Sequence, residues 1–195
     1  MPDGLDRDSA PGTFFAIVGP SGAGKDTLLD GVRDRLTGDP HWHFAVRHIT
    51  RPADAGGEAH IETRPDQFQA MAAAGEFALH WQAHDLYYGI NRAERDRVLS
   101  GQNVIANLSR AAIPDAVEVF PRVHVIHVTA PGSMIAERLH ARGREAPDDI
   151  ARRIARANQA LSRLAPVTEI INDRSIDDGI AAFMTALAAG SVVSG

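Results

Sequence analysis

Short apolar runs alternate with amphipathic stretches along most of the chain. An apolar run fits a strand buried on both faces, and apolar residues three or four positions apart fit a helix packed on a sheet. The predicted strands are 13–18, 44–50, 103–107, 123–128 and 170–172, and the predicted helices are 26–36, 65–74, 92–100, 133–142, 148–164 and 176–187. This alternation predicts an α/β fold in which helices cover both faces of a central parallel sheet.

The region from about residue 58 to residue 92 is less regular than its surroundings. It combines the predicted helix 65–74 with an extended run at 77–81 and an aromatic turn at 87–89. We interpret it as the main part of a small inserted subdomain that spans about 44–92.

Length and composition limit the protein to a few classes. The 195 residues, 44% of them hydrophobic, fit one domain, which we place at 13–189 between tails at 1–12 and 190–195. The absence of cysteine excludes disulfides and thiolate metal sites and fits a reducing cytoplasm. A net charge of −5 argues against a nucleic-acid binder. No apolar stretch approaches the roughly 18 to 20 residues of a membrane span.

The first predicted strand leads directly into a glycine-rich loop and then into the first predicted helix. The loop residues are Gly19, Pro20, Ser21, Gly22, Ala23, Gly24 and Lys25. This order of elements is the context of a phosphate-binding loop, whose backbone N–H groups wrap a phosphate at a helix N-terminus. We therefore expect the loop to bind ATP, with Lys25 as a catalytic cation between the β- and γ-phosphates. The alternative is an ordinary glycine-rich turn.

The distribution of cations supports this interpretation of the loop. Lys25 is the only lysine among the 20 Lys and Arg residues of the chain. A compact ammonium fits a pocket sized for one small cation, whereas the guanidinium fork of arginine is broader. The alternative is that the single lysine occurs there by coincidence.

The two residues after the lysine are the candidate Mg²⁺ ligands. A phosphate loop ordinarily carries Ser or Thr directly after its lysine, but here Asp26 follows and then Thr27. Because a carboxylate is repelled by a triphosphate unless a cation lies between them, we expect Asp26 to bind Mg²⁺ directly or through water. Alternatively, Asp26 pairs with an arginine and stabilises the first helical turn.

From Phe14 onward the chain resembles the guanylate kinase family. Besides the glycine-rich loop, the matching segments are Ile49-Thr-Arg-Pro52, Gly75-Glu-Phe77, Tyr87-Tyr-Gly89, Arg138-Leu-His-Ala-Arg-Gly143, Ile150-Ala-Arg-Arg153 and Ile171-Asn-Asp173. The resemblance implies a three-layer P-loop kinase fold with an Arg-rich lid at about 138–153. It also implies that Arg138 and Asn172 contact the nucleotide, and that Arg142 and Arg153 are catalytic. The alternative for the lid arginines is a helix surface laced with ion pairs.

The residues that read guanine in that family are not matched here. Leu79 and Asn107 take the two acidic positions, and Ala59 takes the position of a tyrosine that contacts the nucleotide phosphate. Leucine offers no acceptor for the N–H donors of guanine. We therefore do not expect guanylate kinase activity.

Where it departs from the guanylate kinases, the chain resembles the ribose 1,5-bisphosphate phosphokinases of phosphonate metabolism, which belong to the same superfamily. The characteristic segments are Arg47-His-Ile-Thr-Arg51, His60-Ile61, Leu86-Tyr-Tyr-Gly89, Asn107-Leu-Ser-Arg110 and Arg142-Gly-Arg-Glu145. The resemblance implies Mg²⁺-dependent transfer from ATP to ribose 1,5-bisphosphate, giving ADP and 5-phosphoribosyl 1-diphosphate. The implied acceptor-binding residues are Arg47, Arg51, Tyr88, Asn107 and Arg110, because phosphate-seeking guanidinium groups replace base-reading groups.

Two other functions stay open. One is a nucleoside monophosphate kinase of the guanylate type, and the other is a non-catalytic guanylate kinase-like binding module. The intact lysine loop and lid arginines argue against the module. The expected partner is thus a small phosphorylated ribose rather than a nucleic acid or a membrane, and the pattern leaves open a monomer or a homodimer.

Overall fold

The computed structural model of the chain describes residues 10–52, 59–83, 85–140 and 163–191. The predicted lid arginines Arg142 and Arg153, and most of the predicted helix 148–164, lie outside the described residues. No helix in the described ranges is both long and apolar enough to cross a membrane.

Nine strands form two sheets in the described part of the chain. They are β1 (Phe14–Val18), β2 (Trp42–Phe44), β3 (His48–Ile49), β4 (Ile61–Glu62), β5 (Phe77–Ala83), β6 (Leu86–Asn91), β7 (Asn103–Asn107), β8 (Val123–Thr129) and β9 (Val167–Ile171). The larger sheet has the order β2-β7-β1-β8-β9. All four of its strand pairs are parallel, which confirms the predicted central parallel sheet.

Six α-helices connect and cover these strands in the described ranges. They are α1 (Lys25–Arg35), α2 (Pro65–Ala73), α3 (Arg92–Leu99), α4 (Ile113–Val119), α5 (Gly132–His140) and α6 (Ile176–Ser191). A short 3₁₀ turn, Arg110–Ala112, precedes α4. The sequence pattern missed α4, and it placed the end of α6 at residue 187, four residues too early.

Strand β1 is the centre of three layers. Its five residues are fully buried and alternate between two hydrophobic clusters. Phe15 and Ile17 pack on the side of α1 and α6, whereas Phe14 and Ala16 pack on the side of α3 and α4. A strand that is apolar at every position is what a sheet covered on both faces requires. The carboxyl ends of β1, β7 and β8 therefore open at one shared edge, where ligands bind in open parallel sheets.

The smaller sheet, in the order β4-β3-β6-β5, forms the inserted subdomain. Strand β6 is antiparallel to both β3 and β5. An aromatic cluster holds α2 on this sheet, since the ring of Phe68 lies 4.6 Å from that of Phe77 and 5.6 Å from that of Tyr87. The subdomain thus has a small core of its own.

Two predictions in this region were wrong. The single strand 44–50 is two short strands in different sheets: Ala45 still donates to Ile105 in the large sheet, whereas His48 pairs with Gly89 in the small one. The aromatic turn 87–89 lies inside β6, and the chain reverses at Asp85, whose φ is 60°. In β6 the two adjacent tyrosines lie on opposite faces of the strand, so their side chains do not mark a turn.

Candidate active site

The glycine-rich loop lies at the carboxyl end of β1 and adopts a folded conformation. Gly19, Gly22 and Gly24 have φ angles of 153°, 85° and 90°, which favour glycine. A Cβ on Gly19 would collide with the carbonyl oxygen of Val128, and one on Gly24 would collide with the side-chain amide of Asn172. The glycines therefore let the loop curl tightly against β8 and the end of β9. We call residues 19–25 the phosphate loop.

Lys25 begins α1 and points back over the phosphate loop. Its Nζ donates to the carbonyl oxygens of Gly19, at 2.8 Å, and Pro20, at 2.9 Å. Among the described residues no side chain caps the first turn of α1. The turn can therefore offer its backbone N–H groups and its positive dipole end to an anion, beside the ammonium group. This is the geometry expected of an ATP phosphate site.

Asn172 and Arg138 brace the phosphate loop from the side of the last strand. The Asn172 side chain is 7% exposed and donates to the carbonyl oxygen of Ala23 at 2.9 Å. Arg138 donates to Gly22 and Ala23, both at 3.4 Å, and to the Asn172 carbonyl oxygen at 3.3 Å. Both predicted nucleotide-binding residues are thus at the loop, where they support its carbonyl groups.

We expect Asn172→Ala to lower the free energy of unfolding by about 1–3 kcal/mol, because it removes the buried partner of the Ala23 carbonyl group. Chemical denaturation of the variant and the parent measures this change. Asn172→Asp, which places a carboxylate against that carbonyl oxygen, should be at least as destabilising. Unchanged unfolding curves for both variants would show that Asn172 does not stabilise the phosphate loop.

Asp26 faces Asn107 across the edge of the sheet. Nδ2 of Asn107, the last residue of β7, lies 3.5 Å from Oδ1 of Asp26. Thr27, the other predicted Mg²⁺ ligand, is exposed one position further around α1. In the described part of the chain no three His, Cys, Asp or Glu residues cluster as a metal site. One carboxylate beside a phosphate site still fits Mg²⁺, which usually binds through one or two carboxylates, waters and substrate phosphates.

We expect Asp26→Asn to raise the Mg²⁺ concentration needed for half-maximal activity by about tenfold, since a neutral amide binds a hard cation more weakly than a carboxylate. The measurement is a Mg²⁺ titration at saturating substrates. Asp34→Asn is the matched control, because Asp34 lies two turns further along α1, is exposed and is not part of the cleft lining. Equal titrations for both variants would leave Asp26 with a structural role only.

A stack of three side chains forms the opposite side of the candidate site. The guanidinium carbon of Arg47 lies 5.0 Å from the centre of the Tyr88 ring, within the range of a cation–π contact. The Tyr88 ring lies parallel to that of Trp81, with centres 5.4 Å apart. The stack restricts the position of the Arg47 guanidinium group. Sequence reasoning missed Trp81. The feature that could have revealed it is its pairing with Tyr88 across the β5–β6 hairpin.

One cleft joins Arg47 of this stack to Asp26, the residue directly after the phosphate loop. It lies beside α1, and its lining includes Asp26, Arg33, Arg47 and Asn107. Ala59, which takes the family's tyrosine position, also faces this cleft. Leu79, the residue at one guanine-reading position, is 3% exposed in the core. The lining therefore contains two guanidinium groups, of which that of Arg33 pairs with Asp30 at 2.7 Å.

Arg51 is the second predicted acceptor-binding arginine, two residues after the end of the short strand β3. Its Nε is buried, and in the described ranges it has no hydrogen-bond partner. Its carbonyl oxygen contacts Nε2 of His60 at 3.1 Å, which ties the backbone to the segment before β4. A buried N–H group without a partner is costly unless a ligand supplies one. An anion of the acceptor would satisfy it.

Arg110 and His127 meet at the same edge of the large sheet. Nη2 of Arg110 lies 3.5 Å from Nε2 of His127, whose side chain is fully buried in β8. Burial is the main cause that lowers the pKa of His127 below its usual value of 6.5, followed by the positive charge of Arg110. Sequence reasoning missed His127, which stood out only as a polar residue in an otherwise apolar run.

The comparison with known proteins agrees with this geometry. The family model described as guanylate kinase matches residues 12–190. A guanylate kinase structure from Anaplasma phagocytophilum superposes with a TM-score of 0.69 at 17% identity, covering 97% of this chain and 91% of that one. At that identity the likeness shows the fold, and it confirms the P-loop kinase fold.

Two curated relatives are more similar in sequence. A ribose 1,5-bisphosphate phosphokinase PhnN from Thiobacillus denitrificans is 44% identical over 165 residues, covering 85% of this chain and 87% of that protein. A bifunctional ribose 1,5-bisphosphokinase-thymidine phosphorylase from Azorhizobium caulinodans is 45% identical over 178 residues. That match covers 91% of this chain and 26% of the relative, so the chain spans about a quarter of the bifunctional protein. The chain belongs to the guanylate kinase family, in the group of relatives named for ribose 1,5-bisphosphate phosphokinase.

Proposed function

We propose that the protein transfers the γ-phosphoryl group of ATP to ribose 1,5-bisphosphate, giving ADP and 5-phosphoribosyl 1-diphosphate. The observation that carries this proposal is the cleft that joins Asp26, directly after the phosphate loop, to Arg47. Guanidinium forks match the oxygens of phosphate groups, and an acceptor with two phosphates can use several of them. The names of the two curated relatives, each given for ribose 1,5-bisphosphate as substrate, support the same acceptor.

The chemistry requires positioning more than proton transfer. An oxygen of the 1-phosphate, already ionised at neutral pH, forms the new bond to the γ-phosphorus, and the bond from that phosphorus to the β-bridging oxygen breaks. No general base is needed, because the attacking oxygen carries no proton. The work left to the protein is to hold the two phosphates in line and to offset charge on the transferring group.

Each part of the described site has one task in this scheme. The phosphate loop binds the β-phosphate through its backbone N–H groups, and Lys25 exchanges its two loop carbonyl partners for phosphate oxygens. Asp26, oriented by Asn107, would hold Mg²⁺. The bound ion would neutralise charge on the β- and γ-phosphates. Arg47 and Arg51 would bind the acceptor, and Arg142 and Arg153 remain our proposed lid residues.

The lining of the cleft disfavours a nucleoside monophosphate as acceptor. A guanine ring needs acceptors for its N–H donors, but Leu79 is apolar and packed in the core. Sites that lose such partners lose several orders of magnitude in selectivity for the base. An amide at Asn107, already close to Asp26, offers a single oxygen in place of a carboxylate. The site therefore fits a charged acceptor without a base.

An acceptor panel tests the proposal. ADP release from ATP and Mg²⁺ is measured in a coupled assay with ribose 1,5-bisphosphate, ribose 5-phosphate, guanosine monophosphate or no acceptor. We expect turnover with ribose 1,5-bisphosphate, and mass spectrometry of the product should show one added phosphoryl group. Stimulation by guanosine monophosphate alone would overturn the acceptor assignment, and equal rates with and without acceptors would indicate ATP hydrolysis.

A further inference from the structure

His127 lies at the buried end of β8, next to the start of the phosphate loop. It pairs in register with Val18, the last residue of β1 before Gly19, and with Glu169 of β9. Its side chain has no exposed surface. A polar ring in this place needs partners, because an unpartnered buried polar group is costly. Nothing in the proposed transfer so far uses it.

The partners of the ring determine which nitrogen carries the proton. Nε2 lies 3.5 Å from Nη2 of Arg110, at the outer limit of a hydrogen bond, and a guanidinium group can only donate. Nε2 must therefore accept, which places the proton of the neutral imidazole on Nδ1. Nδ1 lies 3.3 Å from Oε1 of Glu169, and within the described residues it has no aligned hydrogen-bond partner. The carboxylate thus favours this tautomer mainly through its charge.

The surrounding charges keep the ring neutral. The charged groups that act on it in the described part of the chain are Arg110, Glu169 and Lys25. Burial, Arg110 and Lys25 lower the pKa of His127, against the opposing effect of Glu169. Protonation would turn Nε2 into a donor that faces another donor, and it would add a cation to a site that already holds two. Acidification would therefore release Arg110 from the ring.

We propose that His127 is a positioning residue, which accepts a hydrogen bond from Arg110 and holds its guanidinium toward the acceptor. Arg110 follows β7 by three residues, and Asn107, the last residue of β7, lines the cleft. The assignment of Arg110 to the acceptor rests on the proposed function. The contact between Arg110 and His127 and the tautomer of the ring do not depend on the proposed function.

Substitutions at His127 separate this role from simple core packing. His127→Gln keeps an acceptor oxygen near the position of Nε2, whereas His127→Phe keeps the ring and removes the acceptor. We expect His127→Phe to raise the KM for the acceptor about tenfold and to leave the KM for ATP within about twofold. His127→Gln should stay close to the parent at pH 7.5. The matched control is His124→Phe, because His124 lies on the same strand and contacts Thr168 instead.

The pH dependence gives a second readout. In the parent enzyme the KM for the acceptor should rise as the pH falls below 6.5 through the lowered pKa of His127. His127→Gln has no such group and should lack this part of the rise. The phosphates of the substrates also titrate near pH 6, and comparison of the two enzymes at each pH removes that shared contribution. Identical profiles for the two enzymes would overturn the proposal.

A third measurement needs no substrate. Long-range ¹H–¹⁵N NMR of the ¹⁵N-histidine-labelled protein should show His127 as the Nδ1–H tautomer, and Arg110→Gln should raise its pKa. An Nε2–H tautomer would overturn the proposal even if His127→Phe failed to fold. If the parent did not use ribose 1,5-bisphosphate, the proposed function would fail. The NMR result would then still decide for or against the contact between His127 and Arg110.

Discussion

Lys25→Ala should lower kcat by about a thousandfold, because it removes the only ammonium group that can offset charge on the transferring phosphoryl group. Lys25 is the single lysine of the chain, so no neighbouring lysine can replace it. Steady-state kinetics at saturating substrates measure the loss. Lys25→Arg should recover little activity, since the broader guanidinium does not fit between the carbonyl oxygens of Gly19 and Pro20.

Two controls distinguish a catalytic loss from a folding defect. Arg35→Ala removes a surface cation from the other end of α1, where Arg35 lies 3.6 Å from Asp177, and it should leave kcat unchanged. Selective acylation of the parent offers an independent test, because mass spectrometry can locate the label on Lys25 and ATP should protect the site. Full turnover by Lys25→Ala would contradict the proposed mechanism.

Arg51→Ala should lower kcat/KM for the acceptor by about 100-fold while the KM for ATP stays within about twofold. The buried Nε of Arg51 lacks a partner in the described part of the chain, so we expect its hydrogen bonds to form with the acceptor phosphate. Each charge-assisted hydrogen bond contributes about 1.5–3 kcal/mol. The measurement is a full matrix of rates over both substrate concentrations.

The same reasoning predicts that Arg51→Ala folds normally. The contact of His60 is to the carbonyl oxygen of Arg51 and survives the substitution. Arg64→Ala is the matched control in the same subdomain, because Arg64 is 75% exposed and pairs with Asp66 on the surface. It should change neither KM. If Arg51→Ala instead raised only the KM for ATP, the assignment of Arg51 to the acceptor would be wrong.

Local signals in the sequence were sufficient to predict the elements at the centre of the fold. The apolar run of β1, the glycine-rich loop and the first turns of α1 are contiguous, and each carries its own physical reason. The loop needs positive φ angles, and glycines stand where they occur. The predicted strand 44–50 failed because nothing within those seven residues shows that the chain leaves one sheet and joins another.

The candidate site depends on contacts between distant residues. Asn107 reaches Asp26 across 81 positions of the chain, and Asn172 reaches Ala23 across 149. The resemblance named these residues, but it assigned them to ligands. The structure adds that Asn172 also supports the phosphate loop, which follows from its burial.

The sequence by itself determined the phosphate loop, its lysine and the parallel α/β order, since these follow from neighbouring residues and their backbone preferences. Only the tertiary structure decided that Trp81 stacks beneath Tyr88 and that His127 faces Arg110. It also decided that Arg51 has a buried N–H group with no partner among the residues that the structure describes. The physical reason is that burial, hydrogen-bond partners and local charge belong to positions in space. Residues far apart along the chain acquire them only when the sheets bring their strand ends together.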